Sequence, residues 1–118
     1  MEVDKSTIKA QRGAQGVLHL NGSAVGVVVV QGHDTSWTYG QFEPLAAFGE
    51  FAAIFGRWSL LMHDDEHQPL TTAAAIELRE AERAMDSLRA RIHFPDGDAW
   101  HDVAELNIDG TLVEWKEV

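Results

Sequence analysis

The sequence predicts an α+β fold, in which a mainly antiparallel sheet of about five to seven strands carries two helices on one face. The helices are expected near residues 44–63 and 72–91, which gives the order βββ-αα-βββ(β). Two observations predict this fold: a long apolar segment with helical spacing in the middle of the chain, and a β-hairpin signal towards each end.

The apolar segment runs from Leu45 to Met62, and its only charged residues are Glu50 and Arg57. A helix that is apolar around most of its circumference has to be covered on more than one side, so we expect a core helix. Gly49 and Gly56 lie about two turns apart on the same side of it, where a neighbouring backbone would come close. A membrane helix is the rival interpretation, but the two charges interrupt the run before it reaches a spanning length.

Each hairpin signal is an asparagine or aspartate followed by glycine between two β-rich runs, at Asn21-Gly22 and at Asp109-Gly110. Both central residues of a type I′ turn need a positive φ, and these dipeptides tolerate it best. Such a turn places the residue before it opposite the residue after it. The predicted pairs are Leu20 with Ser23, Leu18 with Val25, Ile108 with Thr111 and Leu106 with Val113.

The remaining elements follow from spacing and turn residues. Strands are expected over residues 36–42, 91–94 and 99–101. Together with the second hairpin, they give three or four strands after the helices. The second helix has a narrow apolar seam, is capped by Thr71 or Thr72, and is predicted to pack antiparallel on the first. We expect a flexible tail over residues 1–14 and a single domain over 15–118.

The composition limits the classes of function. The formal net charge is −10, which repels nucleic acids and anionic lipid surfaces and leaves a basic protein, or a second copy of the chain, as the expected partner. Cysteine is absent, so thiolate chemistry and disulfides are excluded. The first residues lack the apolar core of a signal peptide, so a cytoplasmic protein is expected. No cofactor is predicted.

One cluster suggests metal chemistry. His63, Asp65 and His67 lie within five residues, and two histidines four apart on a helix, with a carboxylate nearby, can hold a divalent ion. A solvated loop is the simpler interpretation, because Pro69 and the polar surroundings predict that the helix ends here. A His-Asp dipeptide also occurs at residues 33–34, 63–64 and 101–102, which leaves a shared site open. Nucleophile-elbow and phosphate-loop motifs are absent.

The aromatic residues favour a binding function. Trp58 and Trp115 are assigned to the core by their facing patterns, whereas Trp37, Tyr39 and Trp100 are candidates for an exposed patch. The acidic side chains of the last hairpin would meet a basic partner. The predicted partner-binding residues are Trp37, Tyr39, Trp100, Glu105, Glu114 and Glu117.

We therefore expect a non-enzymatic, acidic interaction module of the accessory, inhibitor or immunity type. It would bind another protein or a second copy of itself. A metal-dependent hydrolase or metal-binding protein using His63, Asp65 and His67 is the alternative. A small-molecule pocket lined by Trp37, Tyr39 and Phe48 is a third hypothesis.

Overall fold

The structure, a computed structural model, describes residues 12–67 and 69–117, without the side chains of 63–67 and 117. Its strands are β1 (Gln15–Leu20), β2 (Ser23–Asp34), β3 (Trp37–Pro44), β4 (Ala90–Phe94), β5 (Ala99–Asp109) and β6 (Leu112–Glu117). A short 3₁₀-helix (Ala46–Glu50) and the helices α1 (Ala52–His67) and α2 (Thr72–Asp86) stand between β3 and β4. The predicted tail lies mostly outside the described residues, and its last part, Gly13 and Ala14, already forms hydrogen bonds to Val30.

The strands close into a barrel in the order β1-β2-β3-β6-β5-β4, so the predicted open sheet is wrong. Closure depends on β4, which pairs with β5 on one side and with β1 on the other. In the β1–β4 pair, Leu18 faces Ile92 and Leu20 faces Ala90. Hydrophobic spacing specifies which side chains point inward, but it does not specify that the first and fourth strands meet. For this reason the sequence pattern suggested a sheet with edges.

The first hairpin has the predicted turn. Asn21 and Gly22 have φ values of 51° and 87°, as a type I′ turn requires, and Leu20 faces Ser23. Beyond the next pair, His19 with Ala24, the register shifts, so that Leu18 faces Gly26 and not Val25. The shift is a β-bulge, which adds a residue to one strand and bends it. Hydrophobic alternation alone did not reveal it.

The second hairpin differs from the prediction at its turn. Asp109 faces Leu112, so the loop consists of Gly110 and Thr111, and the predicted pairing of Ile108 with Thr111 is wrong. β5 is one continuous strand, so three strands follow the helices, which is one of the two numbers predicted. A register shift between residues 104 and 107 allows β5 to bend around the barrel, with Glu105 at a φ of 51°.

The barrel interior is filled by apolar side chains from every strand and by two phenylalanines from the helical segment. Trp115 is fully buried, which confirms its assignment to the core. Phe51 and Phe55 cover the end of the barrel at which β3 ends. The core comprises Leu18, Leu20, Val25, Val28, Val30, Phe42, Phe51, Phe55, Ala90, Ile92, Phe94, Val103, Leu106, Ile108, Val113 and Trp115.

The apolar segment is neither one helix nor fully covered, so both of these predictions are wrong. It forms the 3₁₀-helix, a turn at Phe51, and then α1. One side of α1 packs on the barrel through Phe55, and a second side packs on α2, where Leu61 is buried outside the barrel core. The third side is solvent-exposed. We call this third side the outer arc; it consists of Ala52, Ala53, Gly56, Arg57 and Leu60.

The outer arc is open to solvent where a neighbouring backbone was expected. Leu60 is 71% exposed, and among the described residues no atom outside the adjoining turns of the helical segment lies within 4 Å of where a Cβ would stand on Gly49 or Gly56. The only charged residue of the arc, Arg57, lies 3.6 Å from Glu77 of α2. One neighbouring helix and one barrel therefore leave about a third of the α1 circumference unpacked.

The second helix begins as predicted and ends earlier. The Thr71 hydroxyl accepts a hydrogen bond from the Ala74 backbone N–H at 3.1 Å, which caps the first turn. The helix ends at Asp86, not near residue 91, because Ala90 and Ile92 point into the barrel as part of β4. Within the described ranges, neither helix combines the length and the hydropathy that crossing a membrane requires.

Two glycines allow the packing to be tested in opposite directions. A Cβ on Gly40 would overlap the carbonyl oxygen of Val29 on the neighbouring strand, whereas a Cβ on Gly56 meets open space. We expect Gly40→Ala to lower the free energy of unfolding by about 2 kcal/mol, through overpacking against backbone that cannot yield. Gly56→Ala should raise it by about 1 kcal/mol, through helix propensity. Urea denaturation of both variants measures this, and equal effects would contradict the assigned environments.

Candidate functional site

Most of the predicted partner-binding residues lie together on the outside of the barrel. Trp37 is paired with Lys116, and Tyr39 is paired with Glu114, across the contact between β3 and β6. Glu105 belongs to the neighbouring strand β5 and its side chain reaches Lys116. We call this surface the β3–β6 face; it consists of Trp37, Tyr39, Glu105, Asn107, Glu114 and Lys116. The side chain of Glu117 lies outside the described residues.

Polar contacts hold the side chains of the β3–β6 face in place. The Lys116 ammonium lies 4.9 Å from the centre of the Trp37 ring and 2.8 Å from a Glu105 carboxylate oxygen. The Asn107 amide donates a hydrogen bond to Glu114 Oε1 at 3.3 Å. The turn at Gly110 and Thr111 places Asn107, and not Glu105, opposite Glu114. The predicted turn at Asp109 and Gly110 would instead have paired the two carboxylates.

The β3–β6 face continues into a groove beneath α1. We call it the α1 groove; its volume is about 190 Å³ and it is lined by Trp58, Ser59, Met62, Asn107, Asp109, Leu112 and Glu114. Asn107 and Glu114 belong to both surfaces. Leu112 is 46% exposed although it is a large apolar residue. The α1 groove thus combines apolar walls with two carboxylates.

Sequence reasoning missed the helical side of the groove. Trp58 was assigned to the core, but it is half-buried and lines the α1 groove. The signal that could have indicated this is Leu112, an apolar residue on the otherwise solvated face of its hairpin. The predicted pocket of Trp37, Tyr39 and Phe48 is wrong. Phe48 packs against the rings of Phe42 and Phe55 at the barrel end, with ring centres 4.9 and 6.0 Å apart.

Trp100 lies in a different cluster from the other predicted residues. Its ring centre is 4.6 Å from that of His93 and 5.0 Å from that of His19, and the Arg91 guanidinium carbon lies 4.5 Å from it. His93 and Arg91 belong to β4 and His19 belongs to β1. We call these four residues the Trp100 platform. It lies across the β1–β4 contact that closes the barrel.

Carboxylates border the Trp100 platform. His93 Nε2 lies 2.6 Å from an Asp98 carboxylate oxygen, and Arg91 Nε donates a hydrogen bond to Asp102 at 3.1 Å. Partial burial, followed by the nearby charges of His93 and Arg91, lowers the pKa of His19 below its usual value of 6.5. The platform therefore favours the uncharged form of His19.

The structure leaves the metal hypothesis untested, because the side chains of His63, Asp65 and His67 lie outside the described residues. The backbone of α1 continues through position 67, so the helix does not end where the sequence suggested. Among the side chains that are described, no group of three or more histidine or acidic residues could hold a metal ion. The His-Asp dipeptides at 33–34 and 101–102 belong to β2 and β5, which are not neighbours in the barrel.

No protein-family model matches this chain, and neither a curated protein nor a solved structure matches it at a significant level. What these surfaces bind is therefore inferred from their own chemistry.

The lowered pKa of His19 predicts a pH effect on stability. The unfolded chain binds a proton at His19 more readily than the folded chain does. The free energy of unfolding therefore decreases as the pH falls below 6.5, because protonation then favours the unfolded chain. We expect His19→Gln to lose less free energy of unfolding than the native chain between pH 7.5 and pH 5.5. Chemical denaturation at both pH values measures the difference. Identical losses in the two proteins would show that His19 is not responsible.

Proposed function

We propose that the protein is a cytoplasmic, non-enzymatic interaction module that binds a segment of another protein in the α1 groove and along the β3–β6 face. One observation carries the proposal. Trp37, Tyr39, Glu105 and Glu114, predicted as partner-binding residues, share one outer face, and that face runs into a groove. Aromatic residues beside a concave, half-apolar surface are typical of binding hot spots.

The size of the α1 groove supports binding of a side chain over binding of a whole small molecule. Its volume of about 190 Å³ is below the range of roughly 300–1,000 Å³ that is usual for small-molecule sites.

The chemistry of the α1 groove indicates the kind of partner. Trp58, Met62 and Leu112 offer apolar contact, while Asp109 and Glu114 supply negative charge within a chain of net charge −10. An apolar side chain followed by lysine or arginine complements this combination. Long-range attraction would also speed its association at low salt. The partner segment is therefore expected to be basic.

Reversal of one charge tests this proposal. Glu114→Lys changes the groove, and Glu82→Lys makes the same change on an exposed position of α2. We expect affinity capture from source-cell extract to recover one stoichiometric partner with the native chain and with Glu82→Lys. Glu114→Lys should bind that partner at least about tenfold more weakly in calorimetry, because like charges would then meet. Equal binding by all three proteins would place the contact elsewhere.

Self-association is a second candidate, favoured by the outer arc. Leu60 is 71% exposed, and Arg57 is the only charged residue of the arc, whose other members are alanine and glycine. The chain as a whole, in contrast, is strongly acidic. A second copy meets the least repulsion on such a surface. The adjacent charges of Arg57 and Glu77 could also exchange partners across a two-fold axis, since a symmetric contact is self-complementary.

Sedimentation equilibrium tests self-association. We expect the native chain to form a dimer and Leu60→Glu to be monomeric at the same concentration, because two added carboxylates would face each other across the axis. Leu112→Glu makes the same change at another exposed leucine and should remain dimeric. A monomeric native chain at high concentration would rule out this candidate.

A further inference from the structure

The α1 groove has one apolar side and one side that carries hydrogen-bond acceptors. Helix α1 contributes Trp58 and Met62 to it. The opposite side is formed by β5 and β6, where Asn107 faces Glu114 and Asp109 lies two residues further along β5. Asp109 is therefore a diagonal neighbour of Glu114, at a backbone distance of roughly 7–8 Å. One ligand group can reach both carboxylates from this side.

Few of these acceptors are used within the protein. The Asn107 amide donates a hydrogen bond to Glu114 Oε1 at 3.3 Å. Among the described residues, no group donates to the Asn107 carbonyl oxygen, to Glu114 Oε2 or to the Asp109 carboxylate. Lys116 stands two residues from Glu114 on β6, but its ammonium lies 2.8 Å from a Glu105 carboxylate oxygen. The groove therefore keeps two negative charges with no described cation against them.

The acceptors select a ligand that has several donors and a positive charge. A metal ion does not fit, because among the described side chains no group of three or more histidine or acidic residues could hold one. The ammonium of lysine is compact and strongly hydrated, whereas the guanidinium of arginine is planar, carries five N–H donors and is weakly hydrated. A guanidinium therefore loses less hydration beside an apolar wall, such as that formed by Trp58, Met62 and Leu112.

We propose that the α1 groove binds an arginine side chain of the partner segment, with its guanidinium donating to Asp109 and Glu114. The aliphatic part of the arginine then contacts Trp58 and Met62. The groove volume of about 190 Å³ suits one such side chain. This inference rests on the proposed function and states which basic side chain enters the groove. Recognition then depends on paired N–H···O bonds as well as on charge, which makes it specific to arginine.

Titration of the ¹⁵N-labelled protein with three small probes tests the choice of side chain. N-acetyl-arginine amide, N-acetyl-lysine amide and N-acetyl-leucine amide share one backbone and differ only in the side chain. The side-chain amide of Asn107 and the indole N–H of Trp58 report binding in the groove by their NMR shifts. At constant salt, we expect saturable binding of the arginine probe, with the lysine and leucine probes at least about fivefold weaker.

The outcomes separate this proposal from the proposed function. Equal or tighter binding of the lysine or leucine probe would overturn the choice of arginine, as would the absence of a shift with the arginine probe at about 50 mM. Neither result bears on whether a partner is recovered from extract and lost in Glu114→Lys. Binding of the arginine probe by a chain that recovers no partner would contradict the proposed function alone.

Variants that remove charge locate the site. Asp109→Asn and Glu114→Gln keep the size of each side chain and should each weaken the arginine probe by about threefold or more, because charged acceptors form the stronger hydrogen bonds. The double variant should weaken it by about tenfold or more. Glu82→Gln removes the same charge on an exposed position of α2 and should bind as the native chain does. Urea denaturation confirms that each variant is folded. Unchanged binding in the double variant would overturn the assignment.

Discussion

The pairing of β4 with β1 is the constraint on which the rest of the structure depends. It joins the two halves of the chain, because β4 follows the helices and β1 precedes them. Without it the six strands would form a sheet with two open edges, and its inner face would need another layer. With it, the strands enclose their own core, and the helices are needed only to cover one end.

Closing so small a barrel requires strongly bent strands and interior side chains of different sizes. The bends come from bulges in β2 and β5, each of which adds a residue to one strand. The difference in size comes from placing small residues beside large ones. Gly26 leaves room for the ring of Phe42, and Gly16 leaves room for Phe94. Large side chains on both sides could not fit at these levels of the interior.

The location of the helices explains why the surface is divided into distinct regions. Because Phe51 and Phe55 bind α1 to the barrel end, the rest of α1 extends along β5, and the space between them is the α1 groove. The same geometry leaves the outer arc of α1 unpacked. The outside of the barrel at the β1–β4 contact carries the Trp100 platform, in which one arginine and two histidines surround the indole. The groove and the platform therefore lie on different parts of the barrel surface.

Local information determined several parts of this protein. The Asn21-Gly22 turn, the burial of Trp115 and the start of α2 depend on residues close in the chain, and the sequence was sufficient for them. The proximity of Trp37, Tyr39 and Glu114 was not specified locally, although each residue was a candidate. Barrel closure, the exposure of Leu60, the role of Trp58 and the cluster around Trp100 were decided only by tertiary structure. The physical reason is that hydrophobic spacing tells which side of a strand or helix is apolar, whereas only the paired backbones decide what that side meets.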